Sequence, residues 1–353
     1  MAYNRDGMGA GFENILIIKP SSLGDIVLAL PALTALRRSF GQANISWLVR
    51  PEFAPLLKNH PHLNDIILFD RKLLGKAWRH RRAIACLLSL VGELRRRRFD
   101  AVFDFQGLFR TASLAWLSGC KNRFGMKNAR EFAHLFYTHK VSQEADCIHL
   151  VDYYLRIVRA AGASGCSPEF ILPVEAGAAE SVKSKLVGQG VEVQNYAVFI
   201  PGSARADKCW PVERFASVAD KLRSEFGFSI VAAGTLQERG VVANLKELAS
   251  GPIADMTGLT NLPELAALLR SARVVVSNDT GPGHIAGALG TPLVMIFGRS
   301  NPARVAPYGR KDCVVGIDPW GRGLERNSAD PKYHITAIEV QQVYQKVLDQ
   351  LRA

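Results

Sequence analysis

Cysteine is scarce in this chain of 353 residues, and runs of apolar residues are short. The six cysteines lie far apart and form no C-x-x-C pair, which disfavours a disulfide framework or a zinc site and is typical of reduced thiols in a cytosolic protein. The longest uncharged stretch of the most basic region, Ala83–Gly92, has ten residues, about half of what a bilayer requires. The first dozen residues lack the apolar run of a secretory signal. We therefore expect a cytoplasmic protein without a membrane span.

Several catalytic motifs are absent from the chain. No aspartate is followed two positions later by another aspartate, and there is no H-E-x-x-H, G-x-S-x-G or Walker sequence. These motifs supply metal ligands, a serine nucleophile and a phosphate-binding loop. The sequence therefore predicts chemistry that uses neither a bound metal nor a nucleophilic serine.

Positive charge is in excess and is concentrated in one segment. Against 44 Lys and Arg stand 32 Asp and Glu, so the net charge is +12 and an anionic partner is expected. Segment Arg71–Arg98 holds ten Lys and Arg and one acid, and Trp78 lies among the cations. Its apolar centre has roughly helical spacing, which predicts a helix with cationic ends. A solvated face is the alternative, but the density favours an anionic membrane surface, and the absence of a recognition motif disfavours nucleic acid.

Short apolar runs alternate with helical patterns in both halves of the chain. A run such as Asn14–Lys19 is typical of a strand that is buried on both faces of a parallel sheet. The same pattern predicts seven further strands: Ile45–Val49, Ile66–Phe69, Ala101–Phe105, Tyr196–Ile200, Ser229–Ala233, Arg273–Ser277 and Leu293–Phe297. Strand and helix follow each other as in a β-α-β series, so the sequence predicts an α/β fold.

The series divides into two similar halves. We expect an N-terminal Rossmann-like domain at residues 13–170 and a C-terminal one at 171–335, with the crossing near 170–175. We expect the last helix, at 336–353, to pack back on the N-terminal domain. Two doubly wound domains that face each other across a cleft are the simplest arrangement. Ligands of such sheets bind beyond the carboxyl ends of the strands, so loops that follow strands are the candidate sites.

Three such loops carry candidate residues. In the first, residues 20–25, Gly24 allows close approach of a ligand and Asp25 lies just past the strand end. Capping of the following helix is the alternative role of Asp25. In another, residues 201–211, Ser203 and Lys208 bring a hydroxyl and a cation to a strand end, which suits a phosphate.

The third loop, residues 278–284, predicts an anion cradle of backbone N–H groups at a helix N-terminus. Its G-x-G-x-x-A pattern fits the loose dinucleotide fingerprint, but that fingerprint requires an acid about 20 residues further on. The next acid is Asp312, so a phosphate site is predicted and a standard NAD site is not. His284, one turn into the helix, is by itself more typical of a structural histidine than of a catalyst.

With these loops, the chain resembles glycosyltransferase family 9, the ADP-heptose:lipopolysaccharide heptosyltransferases, and within it the heptosyltransferase I group most closely. The resemblance runs from residue 15 to about residue 308. It is carried by five segments in order: ILIIKPSSLGDIVLALPAL, FDFQGLFRTASL, FGMKNAREFAHLFY, PGSARADKCWP and VSNDTGPGHIAGALGTPLVMIFG.

The resemblance implies a GT-B fold and inverting transfer of heptose from ADP-heptose to the Kdo of the lipopolysaccharide inner core, at the cytoplasmic face of the inner membrane. It implies that Asp25 is the general base that takes the acceptor hydroxyl proton. It also implies that Lys76 and Arg130 bind anionic groups of a Kdo–lipid A acceptor. The donor-site residues assigned with it are Ser203, Lys208, Glu238, Asp279, Thr280, Gly281 and His284. Among them, the resemblance implies that Glu238 binds the ribose.

The donor loop departs from the family at one position. The resemblance implies paired threonines, whereas this chain has Ser203 and Ala204, so one hydroxyl is lost and donor affinity is expected to differ. Lys208 and the helix amides can meet the charge of a leaving diphosphate, so we expect no metal or other cofactor. Two alternatives stay open: a family member that transfers a different sugar, and a non-catalytic basic protein that binds a membrane or a polysaccharide.

Overall fold

The computed structural model describes residues 11–71 and 81–352. The chain divides into two compact units, Met1–Pro173 and Val174–Ala353. Lys76 and Trp78 lie outside the described residues, so the acceptor role of Lys76 stays a prediction.

The N-terminal unit contains a six-stranded sheet. Its strands are β1 (Asn14–Ile18), β2 (Asn44–Val49), β3 (Asp65–Leu68), β4 (Ala101–Asp104), β5 (Asn122–Met126) and β6 (His139–Val141). The described α-helices are α1 (Leu23–Ser39), α2 (Ala54–Leu57), α3 (Arg81–Arg96), α4 (Phe109–Leu117) and α5 (Leu150–Arg159), and a 3-10 helix spans Ala133–Phe136. The two central strands, β1 and β4, are buried almost throughout, as their apolar runs predict.

The C-terminal unit contains a second six-stranded sheet. Its strands are β7 (Tyr196–Ile200), β8 (Ser229–Ala232), β9 (Ile253–Asp255), β10 (Val274–Asn278), β11 (Leu293–Phe297) and β12 (Val314–Gly316). The described α-helices are α6 (Ala176–Gly188), α7 (Val212–Phe226), α8 (Arg239–Leu248), α9 (Leu262–Arg270), α10 (Gly281–Ala288), α11 (Pro302–Val305) and α12 (Val340–Arg352). Short 3-10 helices span Ala206–Lys208, Leu236–Glu238, Lys311–Cys313, Pro331–Tyr333 and Ile335–Ala337.

Both sheets have the same strand order. It is β3-β2-β1-β4-β5-β6 in the first unit and β9-β8-β7-β10-β11-β12 in the second, and every pairing is parallel. The order reverses between β1 and β4 and between β7 and β10, and ligands of doubly wound sheets bind at this switch point. The predicted α/β fold with two Rossmann-like units is confirmed.

Four strands were not predicted from the sequence: β5, β6, β9 and β12. Three of them have only three residues, and β5 (NRFGM) interrupts its apolar residues with Arg123 and Gly125. All four lie on the outer half of their sheets, where burial on both faces is not required. A strand without a continuous apolar run gives no periodic signal.

The last helix, α12, belongs to the core of the C-terminal unit. It packs on β11 and α7 and buries Val343, Tyr344 and Val347 there. Just ahead of it, the indole Nε1 of Trp210 donates to the carbonyl of Ile338 at 2.8 Å. Its apolar face covers the apolar side chains of β11 and α7, and the expected packing on the N-terminal domain stays a prediction.

Helix α3 carries most of the described part of the basic segment. It buries Leu90 and Leu94 in the N-terminal core and exposes Ile84 and Leu88. The predicted helix with cationic ends is therefore confirmed over Arg81–Arg96. Within residues 11–71 and 81–352, no helix is long and apolar enough to cross a membrane.

Candidate active site

Asp25 occupies the third position of α1, just beyond the carboxyl end of β1. Its Oδ2 accepts hydrogen bonds from the hydroxyl of Ser22 at 2.6 Å and from the Ser22 backbone N–H at 3.1 Å. This is a capping box, so Asp25 does cap the helix. Its Oδ1 lies 4.0 Å from the Nζ of Lys19, and a third of the side chain is exposed. The cap therefore orients a carboxylate that is still open to solvent.

Lys19, the cation beside Asp25, is almost completely buried at the end of β1. Its Nζ donates to the carbonyl of Phe105 at 3.3 Å and lies 5.8 Å from the ring centroid of Tyr154. Burial lowers the pKa of Lys19, and the carboxylates of Asp25 and Asp104 oppose this effect. A cation fixed in this way favours the ionised form of the carboxylate in front of it.

Asp104, at the end of β4, is the second buried charge of this network. Its Oδ2 accepts from the hydroxyl of Tyr137 at 2.8 Å, and its Oδ1 accepts from the backbone N–H groups of Gln106 at 2.8 Å and Gly107 at 3.2 Å. Burial raises the pKa of Asp104, although these hydrogen bonds act against the shift. Neither Asp104 nor Lys19 was predicted from the sequence. A charged residue at the end of an otherwise apolar strand was the signal that could have identified both.

A basic pocket of about 90 Å³ lies beside the loop between β1 and α1. Ser21 lies in its wall, and its basic lining residues are Arg50, Arg71 and Arg110. These arginines follow β2, β3 and β4, so only the folded sheet brings them together, and the sequence analysis missed them as a group. Arg130, which it did select, is exposed, and its backbone N–H donates to the carbonyl of Gly107 at 3.1 Å. Its positive charge lowers the pKa of Lys19 after the larger effect of burial.

In the C-terminal unit, Lys208, Asp279 and His284 form one cluster. The Nζ of Lys208 lies 2.5 Å from the Oδ2 of Asp279, and the Nε2 of His284 lies 3.6 Å from its Oδ1. Asp279 and His284 are only 8% and 6% exposed. Burial alone would raise the pKa of Asp279, but the contact with His284 and the charge of Lys208 hold that pKa well below its ordinary value. Asp279 is therefore a carboxylate that fixes the position of Lys208.

Asn278 ties together the loops that follow β7 and β10. It is fully buried, its Nδ2 donates to the carbonyl of Pro201 at 2.8 Å, and its Oδ1 accepts from the backbone N–H of Trp210 at 3.0 Å. These bonds join both ends of the loop that carries Lys208 to the end of β10. Asn278 was not among the site residues predicted from the sequence.

The start of α10 lies next to this cluster. Thr280 is the N-cap residue and Gly281 is the first residue of the helix. The hydroxyls of Thr280 and Ser277 are hydrogen-bonded at 3.0 Å. The first N–H groups of a helix have no partner within it, and the helix dipole favours an anion there. The predicted anion cradle therefore adjoins Asp279.

Glu238 follows β8 and reaches the loop after β7. Its Oε2 accepts from the backbone N–H of Thr235 at 2.6 Å and from the Thr235 hydroxyl at 2.9 Å. A Cβ atom on Gly202 would lie only 2.5 Å from the Oε1 of Glu238, so glycine is needed for the carboxylate to lie against this loop. In the same loop, the Oγ of Ser203 accepts from the backbone N–H of Arg205 at 3.4 Å. The donor residues selected from the sequence thus lie in the loops or helix starts after β7, β8 and β10, and their binding roles stay predictions.

Comparison with known proteins places this chain in a family. The sequence model of glycosyltransferase family 9 (heptosyltransferase) matches residues 87–334. The lipopolysaccharide core heptosyltransferase OpsX of Haemophilus influenzae is 27% identical over 310 residues, 86% of this chain and 84% of that protein. Lipopolysaccharide heptosyltransferase 1 of Escherichia coli K12 is 28% identical over 307 residues, 85% of this chain and 92% of that protein.

Solved structures agree with the sequence comparisons. Heptosyltransferase WaaC of E. coli, solved with ADP-2-deoxy-2-fluoro heptose, is 26% identical, with a TM-score of 0.72 over 95% of this chain and 99% of that one. A family 9 glycosyltransferase of Veillonella parvula shares the fold at 22% identity, with a TM-score of 0.82 over 97% of this chain and 98% of that one. The expected GT-B fold and the resemblance drawn from the motifs are confirmed. The chain belongs to glycosyltransferase family 9, the heptosyltransferases.

Proposed function

We propose that this glycosyltransferase moves heptose, with inversion, from ADP-heptose to the Kdo of a lipopolysaccharide inner core. The observation that carries the proposal is the cluster of Lys208, Asp279 and His284 beside the start of α10. It offers a positioned cation and free helix amides to a diphosphate. Glu238, in the loop after β8, is the residue that the family resemblance assigns to the ribose.

The proposed donor rests on this cluster and on a relative. WaaC of E. coli was solved with ADP and with ADP-2-deoxy-2-fluoro heptose. The preference for adenine rests on that relative, and the preference for a diphosphate also rests on Lys208 and on the N-terminus of α10 in this chain.

The proposed chemistry needs one base and a stabilised leaving group. Asp25 takes the proton of the acceptor hydroxyl while that oxygen attacks the anomeric carbon opposite the departing diphosphate. The growing negative charge of the diphosphate is met by Lys208 and by the amides of Thr280 and Gly281. The proposal therefore includes no metal.

The proposed acceptor is of the Kdo–lipid A type. Relatives named lipopolysaccharide heptosyltransferase 1, 2 and 3 match at similar identities, 24–29%, and these identities do not distinguish their acceptors. The choice of a Kdo–lipid A acceptor therefore rests on the motif resemblance and on the basic pocket. Planar guanidinium groups suit carboxylates and phosphates, and the pocket beside Ser21 has three of them. We propose that the enzyme acts as a peripheral protein at the anionic cytoplasmic face of the inner membrane.

Lys19→Met tests whether the buried cation assists Asp25. Methionine has a similar length without the charge, and Asp104 keeps its hydrogen bonds, so we expect the fold to persist. Loss of a positive charge 4.0 Å from the Asp25 carboxylate favours the protonated carboxyl. We expect the acidic limb of the pH profile of kcat/KM to move to higher pH and kcat to fall, with little change in the KM for the donor. A lower kcat with an unchanged pH profile would leave Lys19 a structural role only.

A thermal-shift panel of ADP, ADP-heptose, UDP, GDP and NAD, each with and without EDTA, tests the donor proposal. A ligand that binds only the folded state adds about 2.7 kcal/mol at a hundred times its dissociation constant. We expect ADP and ADP-heptose to raise the melting temperature most, and we expect EDTA to leave that shift unchanged.

Each contrary result of the panel has a specific meaning. A larger shift with UDP would contradict the ADP donor. Stabilisation by NAD alone would restore the dinucleotide site that the sequence disfavours. Abolition of the ADP shift by EDTA would contradict the metal-free mechanism. For the acceptor, turnover of ADP-heptose with Kdo–lipid A is compared with turnover on the same acceptor already carrying one heptose, and a preference for the second would contradict the proposed acceptor.

A further inference from the structure

The N-terminal unit exposes a group of large apolar side chains, which we call the aromatic face. Its members, with their exposed fractions, are Phe109 (52%), Trp116 (55%), Phe132 (74%) and Leu135 (67%). Phe109 and Trp116 lie on α4, Leu135 lies on the 3-10 helix Ala133–Phe136, and Phe132 precedes that helix. The two helices pack on each other. Single exposed apolar residues are common on protein surfaces, but a cluster of them marks a binding surface.

The aromatic face has a fixed geometry. The ring of Phe136 lies 5.4 Å from the ring of Phe109 and 6.2 Å from that of Trp116, between centroids. The Oε2 of Glu131 accepts the backbone N–H of Phe109 at 3.2 Å, so the segment that carries Phe132 is joined to the start of α4.

The backbone holds Phe132 outward at a cost. Glu131 and Phe132 have φ values of 55° and 57°, a conformation that costs a non-glycine residue roughly 1–2 kcal/mol. The next residue, Ala133, is buried with Ala112 and Tyr137 in a small core beneath. Such strain persists where the surrounding structure imposes it, and it concentrates at functional sites.

Arginines of α3 and α4 border the aromatic face. Arg110 follows Phe109 and is exposed. On the other side, the Nε of Arg95 in α3 donates to the carbonyl of Leu117 at 2.9 Å, next to Trp116. α3 packs on α4 and adds exposed apolar side chains, Ile84 at 44% and Leu88 at 65%. Apolar side chains bordered by arginines are the composition of surfaces that lie in the interface of an anionic bilayer.

We propose that the aromatic face docks this enzyme on an anionic lipid bilayer, with its rings inserted among the lipids and the arginines of α3 and α4 at the phosphates. This proposal rests on the proposed function, because a lipid-linked acceptor would be held in that bilayer. Arg110 also lines the basic pocket beside Ser21, so the two surfaces are continuous. An acceptor could place its anionic sugar in the pocket while its acyl chains stay in the membrane.

The test is co-sedimentation of the full chain with vesicles of phosphatidylethanolamine and phosphatidylglycerol, or of phosphatidylcholine alone, without substrate. The test variant is Phe132→Asn with Leu135→Gln, because asparagine tolerates the left-handed backbone conformation better than most residues. The matched control is Val187→Gln with Leu248→Gln in the C-terminal unit, where both side chains are similarly exposed, at 60% and 51%.

We expect the wild type and the control to bind the anionic vesicles in a salt-sensitive way, and we expect the test variant to bind at least about tenfold less. Brominated lipids should quench the tryptophan fluorescence of the wild type. They should quench that of Trp116→Phe less, because this variant lacks the indole of the aromatic face. Equal binding by the wild type and the test variant would overturn the proposal, as would equal binding of the wild type to both vesicle types. A lower oligomeric mass of the test variant without vesicles would also overturn it, because a second copy would then cover the face.

Turnover on a soluble, deacylated acceptor separates this proposal from the proposed function. We expect the test variant and the wild type to turn over this acceptor equally. If the test variant loses turnover on the soluble acceptor as strongly as it loses vesicle binding, the docking role is overturned, because the face would then serve the reaction itself. If the wild type shows no turnover on any Kdo acceptor, the proposed function is contradicted, and vesicle binding still decides the docking proposal.

Discussion

Asp25→Asn is expected to lower turnover by about 10²–10⁴-fold, the usual cost of losing a general base. Asparagine has nearly the same shape and keeps an oxygen that can accept from Ser22, so the capping box and α1 should persist. The amide cannot take the acceptor proton, however, and the charge that Lys19 faces at 4.0 Å disappears. The measurements are kcat with ADP-heptose and a Kdo acceptor, the affinity for ADP, and the melting temperature, and only kcat should change strongly.

Ser22→Ala is the control for the second role of Asp25. It removes the hydroxyl that donates to the Oδ2 of Asp25 at 2.6 Å but leaves the carboxylate in place. Loss of an N-cap costs roughly 0.5–2 kcal/mol, so we expect a lower melting temperature with turnover largely retained. If Asp25→Asn turns over within about threefold of the wild type, Asp25 is a helix cap only.

The sequence predicted the central strands of both sheets because their burial on both faces leaves continuous apolar runs. It also placed the loops after β1, β7 and β10 correctly, since a parallel β-α-β series sends every strand-to-helix loop to the same edge of the sheet. These loops contain Asp25, Lys208 and Asp279, so strand order located these three residues, whereas their expected roles came from the family resemblance. Four strands of the outer halves, β5, β6, β9 and β12, had no such run and were missed.

What the sequence could not supply was contact across distant segments. The pairing of Lys208 with Asp279 joins residues 71 positions apart, and the bond from Tyr137 to Asp104 joins residues 33 positions apart. From the sequence, Lys19 is only the residue that ends an apolar strand. Its link to Asp104 depends on the pairing of β1 with β4 in the sheet. The aromatic face likewise needs the fold, because Phe109 and Phe132 carry no shared sequence pattern.

Lys208→Ala is expected to weaken ADP binding by roughly 10–150-fold through the lost hydrogen bond alone, and to lower turnover as well. A charge-assisted hydrogen bond contributes about 1.5–3 kcal/mol, and each 1.4 kcal/mol is a factor of about ten in affinity. The substitution has a second effect, because the buried carboxylate of Asp279 loses the cation that lies 2.5 Å away. That carboxylate would then repel the incoming diphosphate, so the loss should exceed that of the hydrogen bond alone.

A double variant separates these two effects. In Lys208→Ala with Asp279→Asn, the repelling charge is gone, so ADP affinity measured by titration calorimetry should be partly restored compared with Lys208→Ala alone. Lys183→Ala is the matched control, because Lys183 lies on α6 in the same unit, is 57% exposed and forms an ion pair of 3.9 Å with Glu180. Unchanged ADP affinity and turnover in Lys208→Ala would show that Lys208 does not bind the donor. A double variant that binds ADP no better than the single one would show that Asp279 acts only by positioning Lys208.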